Sequence, residues 1–192
     1  MKWLRLSKHS LNLENMKGIK KDMIKDLKDL KGKKWVLDMD DTLAHFNKEK
    51  NALERFSSEK NFFSNLKPSK LLLHIQIAIT TKVIDLNNIY IVSASPNEQA
   101  DKDKQEWLNK YLKALPKENI TFTRLGQNKA DHFMKKYHLN NKDLSNYILI
   151  DDYTKNLIEW QKLGGKVLKY INEYNNTKQT YKQYNIKALQ LD

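Results

Sequence analysis

The sequence predicts an α/β fold in which a Rossmann-like parallel sheet is sandwiched by helices. Short β-rich apolar segments, such as residues 89–92 and 147–150, alternate with longer segments whose apolar residues recur every three to four positions. That alternation is typical of a parallel sheet whose strands are connected by helices. Residues 45–88 contain helical patterns and no clear strand, so we expect a helical segment between the first two strands.

The first strand ends on a group of carboxylates. Residues 35–37 are apolar, and Asp38, Asp40 and Asp41 follow almost at once. Ending a buried strand on neighbouring aspartates is unfavourable unless their mutual repulsion is neutralised. Ligands of open α/β sheets bind beyond the carboxyl ends of the strands, so we expect a divalent cation at this point. A solvated acidic turn is the alternative interpretation, because Asp is common in turns.

A later strand ends in the same way. The apolar residues 147–150 lead directly into Asp151 and Asp152, and Asn156 follows four positions after the second aspartate. Two separate strands that each end on neighbouring carboxylates rarely arise by chance. The pair of strand ends therefore favours a functional site over two unrelated acidic turns.

The segment from Asp38 through Asp40 to Thr42 resembles the first motif, Asp-x-Asp-x-Thr, of the haloacid dehalogenase-like (HAD) hydrolase superfamily. The resemblance implies that Asp38 is a nucleophile, that Asp40 is the general acid and base, and that Mg²⁺ neutralises both. It also implies a small helical cap at about 45–88 within a HAD-like hydrolase domain at 34–192. Residues 1–33 would then be an N-terminal helical extension.

Two further segments resemble the phosphate-binding motifs of the same superfamily. Its second motif places a hydroxyl residue at a strand tip, where the chain has Ser93, Ala94 and Ser95. Ser93 is preferred because it ends the apolar run, while Ser95 competes because it directly precedes a proline. The third motif is a lysine, and Lys129 stands at a predicted helix start.

The second acidic strand end resembles the fourth motif, which completes the magnesium site. By this resemblance Asp152 is a direct ligand, Asp151 is a supporting one, and Asn156 belongs to the metal shell. The implied metal-binding residues are Asp38, Asp40, Asp151, Asp152 and Asn156.

Within the superfamily, the chain looks similar to the 5'(3')-deoxyribonucleotidase-like branch, whose members are often encoded by bacteriophages. Proteins of that branch remove phosphate from nucleoside monophosphates, so the implied substrate is a phosphorylated small molecule, a nucleotide. This chain differs from the usual pattern of the branch at two positions, which bear on the substrate. The branch usually has Gly or Asn where this chain has Asp41, and Arg where this chain has Tyr153. The alternatives are a phosphatase of nucleic-acid 3'-phosphate ends and a non-catalytic nucleic-acid-binding module on the same fold.

Composition limits the partners and the compartment. The chain has 192 residues and a formal net charge of +12, which favours anionic partners, although its lysines are dispersed. It has no cysteine, which excludes disulfides and thiolate metal sites, so we expect a reducing, cytoplasmic setting. No apolar run reaches membrane-spanning length, so we expect no membrane partner, and the sequence does not indicate the oligomeric state.

Three expectations concern the remaining segments. Residues 12–33 have the spacing of an amphipathic helix, and the tail from residue 172 predicts a loop and a closing helix around Ala188 and Leu189. Four cap phenylalanines are candidates for stacking on a base, with core packing as the alternative: Phe46, Phe56, Phe62 and Phe63.

Overall fold

Six parallel strands form one sheet in the part of the chain that the structure describes. The computed structural model describes residues 32–172 and 179–191, and the sheet has the strand order β3-β2-β1-β4-β5-β6. Every neighbouring pair is parallel. The strands are β1 (Lys34–Leu37), β2 (Ile89–Ser95), β3 (Ile120–Arg124), β4 (Tyr147–Asp151), β5 (Lys166–Ile171) and β6 (Ala188–Gln190). The predicted parallel α/β fold is confirmed, whereas the predicted amphipathic helix lies almost entirely outside the described residues.

Helices connect the strands. They are α1 (Ala52–Ser58), α2 (Lys70–Thr80), α3 (Glu98–Tyr111), α4 (Lys129–Lys136), α5 (Asn141–Leu144) and α6 (Thr154–Lys162). The side chains of Ser69, Asn97 and Asn128 cap α2, α3 and α4 by accepting hydrogen bonds from first-turn N–H groups. Among the described residues, no helix combines the length and the apolar character that crossing a bilayer requires.

Both faces of the sheet are covered. On one face, Phe133 of α4 and Trp160 of α6 are buried in a core that includes Val92 of β2. Ser93 follows Val92 and therefore points to the opposite face, because side chains alternate along a strand. There Lys104 of α3 donates a hydrogen bond to the Ser93 hydroxyl. The sheet is thus sandwiched by helices, as the sequence predicts.

The cap is a short segment that leaves and rejoins the domain at one place between β1 and β2. Ala44 and Pro68 form an antiparallel bridge, and the His45 N–H donates to the Lys67 carbonyl at 2.9 Å. The segment between these points contains α1 and a 3₁₀ turn at Phe63–Asn65. After the bridge, α2 connects the cap to β2.

The four cap phenylalanines pack against one another. Phe46, Phe56, Phe62 and Phe63 are 8%, 3%, 4% and 0% exposed, and the centroids of contacting rings lie 5.4 to 6.5 Å apart. Phe63 also meets Trp107 of α3 edge-on at 6.0 Å. Rings buried in this way offer almost no surface to a base, so the structure favours the core-packing interpretation over stacking.

The described chain closes with an edge strand where the sequence predicts a helix. Ala188–Gln190 forms β6 and pairs in parallel with β5, and the Lys169 N–H donates to the Lys187 carbonyl at 2.9 Å. The prediction of a closing helix around Ala188 and Leu189 is therefore wrong. A three-residue element is too short to show a period, and the edge of β5 supplies unpaired backbone groups that favour a strand.

Candidate active site

Asp38 and Asp151 lie side by side at the carboxyl edge of the sheet. The Asp38 N–H donates to the Ile150 carbonyl at 3.0 Å, which extends the pairing of β1 with β4 by one residue. Asp38, Asp151 and Asp152 each offer a carboxylate oxygen within 4.8 Å of the others. Asp38 and Asp151 are both buried. The fold therefore brings the two predicted acidic strand ends together.

Lys129 bridges the two buried aspartates. Its Nζ lies 2.5 Å from Asp38 Oδ1 and 3.1 Å from Asp151 Oδ2, and it is the first residue of α4. Burial opposes the charged amine, but Asp151 and Asp38 together raise the pKa of Lys129, so it stays protonated. An ammonium group has three N–H donors, and these two carboxylates leave one for a ligand.

Asp151 is hydrogen-bonded through both carboxylate oxygens. Oδ1 accepts from the Tyr153 N–H at 2.7 Å, and Oδ2 accepts from Asn156 Nδ2 at 2.9 Å in addition to Lys129. Burial raises the pKa of the Asp151 carboxyl, although Lys129 opposes the shift. Because the Asn156 nitrogen faces this carboxylate, Asn156 acts on the site by orienting Asp151.

Thr42 links Asp152 to the acidic segment that follows β1. The Asp152 N–H donates to Thr42 Oγ1 at 3.0 Å, and the Thr42 hydroxyl donates to Asp152 Oδ1 at 3.3 Å. Burial, followed by repulsion from Asp151 and Asp38, raises the pKa of Asp152 well above its ordinary value. Within the described residues Asp152 has no ion pair. The buried Lys169 of β5 opposes the shift without forming an ion pair with Asp152 in the described part of the chain.

Asp41 shapes the loop after β1. Its φ of +53° is in the left-handed region, which Gly and Asn adopt more readily than other residues. Its Oδ1 accepts the N–H groups of Phe46 and Asn47, both at 2.9 Å. Its carbonyl accepts from Asn172 Nδ2 at 2.6 Å. These bonds offset the cost of the backbone conformation and direct the chain from β1 into the cap.

Asp40 is paired with a buried lysine of α3. Lys104 Nζ donates to Asp40 Oδ2 at 2.9 Å, to Ser93 Oγ at 2.7 Å and to the Ala94 carbonyl at 2.7 Å. The other oxygen, Asp40 Oδ1, is buried and has no hydrogen-bond partner among the described residues. Burial, together with repulsion from Asp38, raises the pKa of Asp40 to about 6, although Lys104 opposes the shift. Asp40 can therefore be protonated near neutral pH.

The structure distinguishes the two candidate serines at the tip of β2. Ser93 Oγ already accepts from Lys104, and the Ala94 carbonyl does the same. Ser95 Oγ is buried and has no hydrogen-bond partner within the described part of the chain. A buried hydroxyl without a partner is unfavourable. The Ser95 hydroxyl can therefore both donate to and accept from a ligand, whereas the Ser93 hydroxyl accepts from Lys104 and can still donate.

The charges at this edge fit a divalent cation. Two lysines and four carboxylates meet here: Lys104 and Lys129 with Asp38, Asp40, Asp151 and Asp152. These carboxylates outnumber the two lysines, and a third lysine, the buried Lys169 of β5, also acts on Asp151 and Asp152. Carboxylate oxygens are the ligands that Mg²⁺ prefers in proteins. The carboxylates whose oxygens lie close enough together to hold the ion are those of Asp38, Asp151 and Asp152, while Asp40 keeps one oxygen without a partner among the described residues.

Lys104 is a site residue that the sequence analysis missed. On α3 it lies four positions after the buried Ala100, three before the buried Trp107 and four before the buried Leu108. These spacings place it on the apolar stripe of the helix. Lysine is almost never fully buried without a partner. A lysine on the apolar stripe of this helix therefore indicates a buried ion pair, and this pattern could have identified Lys104 from the sequence.

The fold is similar to solved structures of HAD-type hydrolases. A haloacid dehalogenase-like family hydrolase from Streptococcus pneumoniae aligns with a TM-score of 0.50 at 13% identity, covering 85% of this chain and 95% of that chain. A HAD family hydrolase from Deinococcus radiodurans R1, solved with bound phosphate and sodium, aligns with a TM-score of 0.52 at 8% identity, covering 84% and 92%. These likenesses show a HAD-like fold. No protein-family profile and no curated protein matches the sequence.

Proposed function

We propose that the protein is a magnesium-dependent phosphomonoester hydrolase that works through an aspartyl-phosphate on Asp38. The observation that carries this proposal is the different environment of two carboxyls only two residues apart. Asp38 forms a buried ion pair with Lys129, which also pairs with Asp151. The pKa of Asp40 is raised by burial to about 6, which favours a group that can give and take a proton.

In the first step, an Asp38 oxygen attacks the phosphorus atom and forms a new P–O bond as the ester P–O bond breaks. Asp40 passes its proton to the leaving alcohol oxygen, so the alcohol departs neutral. In the second step, a water oxygen attacks phosphorus, Asp40 takes the water proton, and the Asp38–phosphorus bond breaks. Inorganic phosphate is released and both carboxyls return to their starting states.

The remaining residues of the site stabilise charge on the transferring group. Lys129 has one N–H donor beyond those given to Asp38 and Asp151, and Ser95 has a buried hydroxyl without a partner among the described residues. Both suit the phosphoryl oxygens, whose charge dominates the energetics of such transfers. When bound, Mg²⁺ held by Asp38 and Asp152, with Asp151 in support, supplies further neutralisation of that charge.

The test of the reaction is phosphate release from p-nitrophenyl phosphate with Mg²⁺ and with EDTA. We expect EDTA to abolish turnover and Asp38→Asn to lower it by at least about 10³-fold, because the nucleophile is lost. Asp131→Asn is the matched control, since Asp131 is an exposed aspartate of α4 with the same side chain. Full activity in Asp38→Asn would exclude the mechanism.

For the substrate we propose a nucleoside monophosphate. The net charge of +12 suits anionic substrates, and its lysines are dispersed along the chain instead of forming the basic stripe with aromatic residues that a polymer strand would follow. The assay compares ribonucleoside and deoxyribonucleoside monophosphates with a 3'-phosphorylated oligonucleotide across a salt series. Turnover confined to the oligonucleotide and falling steeply with salt would indicate the polymer instead, because contacts to several backbone phosphates make affinity strongly salt-dependent.

A further inference from the structure

Lys104 lies between the catalytic carboxyl and the cap. On one side its Nζ contacts Asp40, Ser93 and the Ala94 carbonyl. On the other side the rings of Phe56 and Phe63 lie 4.9 and 4.8 Å from the same Nζ. An ammonium group over aromatic faces is attracted by the ring quadrupoles, and more strongly when water is excluded. The side chain is 0% exposed, so no water competes for this cation.

The hydrogen bonds of Lys104 exclude a direct role in binding phosphate. An ammonium group has three N–H donors, and here all three have protein acceptors within 2.9 Å. Lys129, by contrast, gives two donors to carboxylates and keeps one. The two lysines of the site are therefore suited to different tasks. Lys104 fixes protein groups relative to one another.

What Lys104 fixes is the orientation of the Asp40 carboxyl. Its bond to Oδ2 leaves Oδ1 as the oxygen without a partner among the described residues. In the proposed reaction, Oδ1 is then the oxygen that carries the proton to the leaving group. Without the ammonium group, the carboxyl could rotate about its terminal torsion, which has a broad and roughly two-fold profile.

The cap is fixed to the helix that carries Lys104. Trp107, three residues after Lys104 on α3, donates from its indole nitrogen to the Leu66 carbonyl of the cap at 2.9 Å. The same indole meets the Phe63 ring at 6.0 Å. Displacing the cap would therefore remove the aromatic rings from Lys104 and expose its ammonium group to water.

We propose that Lys104 is a positioning residue that holds Asp40 in the orientation for proton transfer and makes that orientation depend on the seated cap. The inference rests on the proposed hydrolase function. It assigns to the cap a role in leaving-group protonation, transmitted through the contacts of Phe56 and Phe63 with the Lys104 ammonium group.

The test compares two substrates that differ in their need for a proton. An aliphatic ester such as β-glycerophosphate has a poor leaving group that must be protonated, whereas p-nitrophenolate leaves without help. We expect Lys104→Met to lower kcat for β-glycerophosphate by on the order of 10²-fold, the usual contribution of general acid catalysis. For p-nitrophenyl phosphate we expect a loss of less than about threefold, and little change in KM for either ester, because binding is not the step affected.

Controls separate this role from a general loss of structure. Lys136→Met makes the same exchange at an exposed lysine of α4 that donates to the Ile120 carbonyl, and we expect equal, small effects on both esters. Ser93→Ala removes one anchor of the Lys104 ammonium group and keeps its charge, so we expect a smaller loss with the same preference for β-glycerophosphate. This second variant tests the proposal even if Lys104→Met does not fold.

A double-mutant cycle tests the contribution of the cap. Phe56→Leu should lower β-glycerophosphate turnover more than p-nitrophenyl phosphate turnover. If the cap acts through Lys104, the double variant Phe56→Leu with Lys104→Met should be no worse than Lys104→Met alone. If the losses of turnover in the two single variants multiply in the double variant, the cap does not act on the Asp40 carboxyl through Lys104, and that part of the proposal is overturned.

A crystal structure of Lys104→Met gives a result that does not depend on turnover. We expect the Asp40 carboxyl to rotate while the backbone of residues 38–44 stays in place. An unchanged Asp40 orientation, or equal losses with both esters, would overturn the role of Lys104. Absence of any hydrolysis by the unaltered protein would instead overturn the proposed function, and the crystal structure would still decide the positioning role.

Discussion

At the residue scale, the site gathers carboxylates at the expense of stability. Burial and mutual repulsion raise the pKa of Asp152 well above its ordinary value of 3.8, and burial raises that of Asp151. A raised carboxyl pKa means that the folded protein opposes the ionised form that prevails at neutral pH. A bound divalent cation would reverse this effect.

We predict that Asp152→Asn stabilises the metal-free protein at pH 7.5. Removing this buried charge should raise the free energy of unfolding, because the folded protein opposes the ionised form of Asp152. For a chain of this size that raises Tm by roughly 2–4 °C per kcal/mol. The measurement is a thermal melt in EDTA and again in millimolar Mg²⁺.

In the same experiment, Mg²⁺ should raise the Tm of the unaltered protein and leave Asp152→Asn nearly unchanged, because only the folded state binds the ion. Asp131→Asn should behave like the unaltered protein in both buffers. A lower Tm for Asp152→Asn in EDTA would contradict the electrostatic interpretation. A protein that Mg²⁺ does not stabilise would favour the non-catalytic binding module.

At the element scale, Ser69 joins the start of α2 to the loop that carries the acidic motif. Its hydroxyl donates to the Thr42 carbonyl at 2.6 Å and accepts from the Leu72 N–H at 3.3 Å. Its own N–H donates to the Leu43 carbonyl at 2.8 Å. One fully buried serine thus caps a helix and fixes the end of the Asp-x-Asp-x-Thr segment.

Ser69→Ala should destabilise the protein by about 1–2 kcal/mol, because it removes a helix cap and leaves a buried carbonyl with one bond fewer. Chemical denaturation measures the change in the free energy of unfolding. Ser58→Ala is the comparison, since the exposed Ser58 hydroxyl donates to the Glu54 carbonyl of its own helix, and we expect a change within about 0.5 kcal/mol. Equal effects of the two substitutions would argue against the linking role of Ser69.

At the scale of the whole molecule, the raised carboxyl pKa values predict how metal-free stability depends on pH. A carboxyl with a raised pKa binds more protons in the folded state, so its stabilising contribution is complete below the ordinary pKa. That contribution is lost as pH rises through the folded-state pKa. For Asp40 this window runs from 3.8 to about 6, and for Asp151 and Asp152 it also begins at 3.8 and extends upward.

We therefore expect the unfolding free energy in EDTA to fall between about pH 4 and pH 7, with a smaller fall in Mg²⁺. Denaturation curves at half-unit pH intervals measure it. Asp152→Asn should show a shallower fall in EDTA than the unaltered protein. Stability that rises across the whole window in all three samples would contradict the predicted direction.

The sequence by itself determined the fold class and the two acidic strand ends. The periods of apolar residues are local properties, and so is the run of a strand into aspartates, so both can be read without the fold. The predicted helix start at Lys129 is equally local, because a helix cap acts on N–H groups two or three residues away. These features placed Asp38 and Asp151 at the strand ends before any contact was known.

Only the tertiary structure decided which group pairs with which. Lys104 meets Asp40 across 64 positions of the chain, a distance over which no sequence period operates. The tertiary structure also decided that Ser95, and not Ser93, has the hydroxyl without a partner among the described residues. It likewise decided that β6 is a strand, because β6 pairs with the edge of β5. Burial, ion pairing and edge pairing depend on separation in space, so they are settled only when the chain has folded.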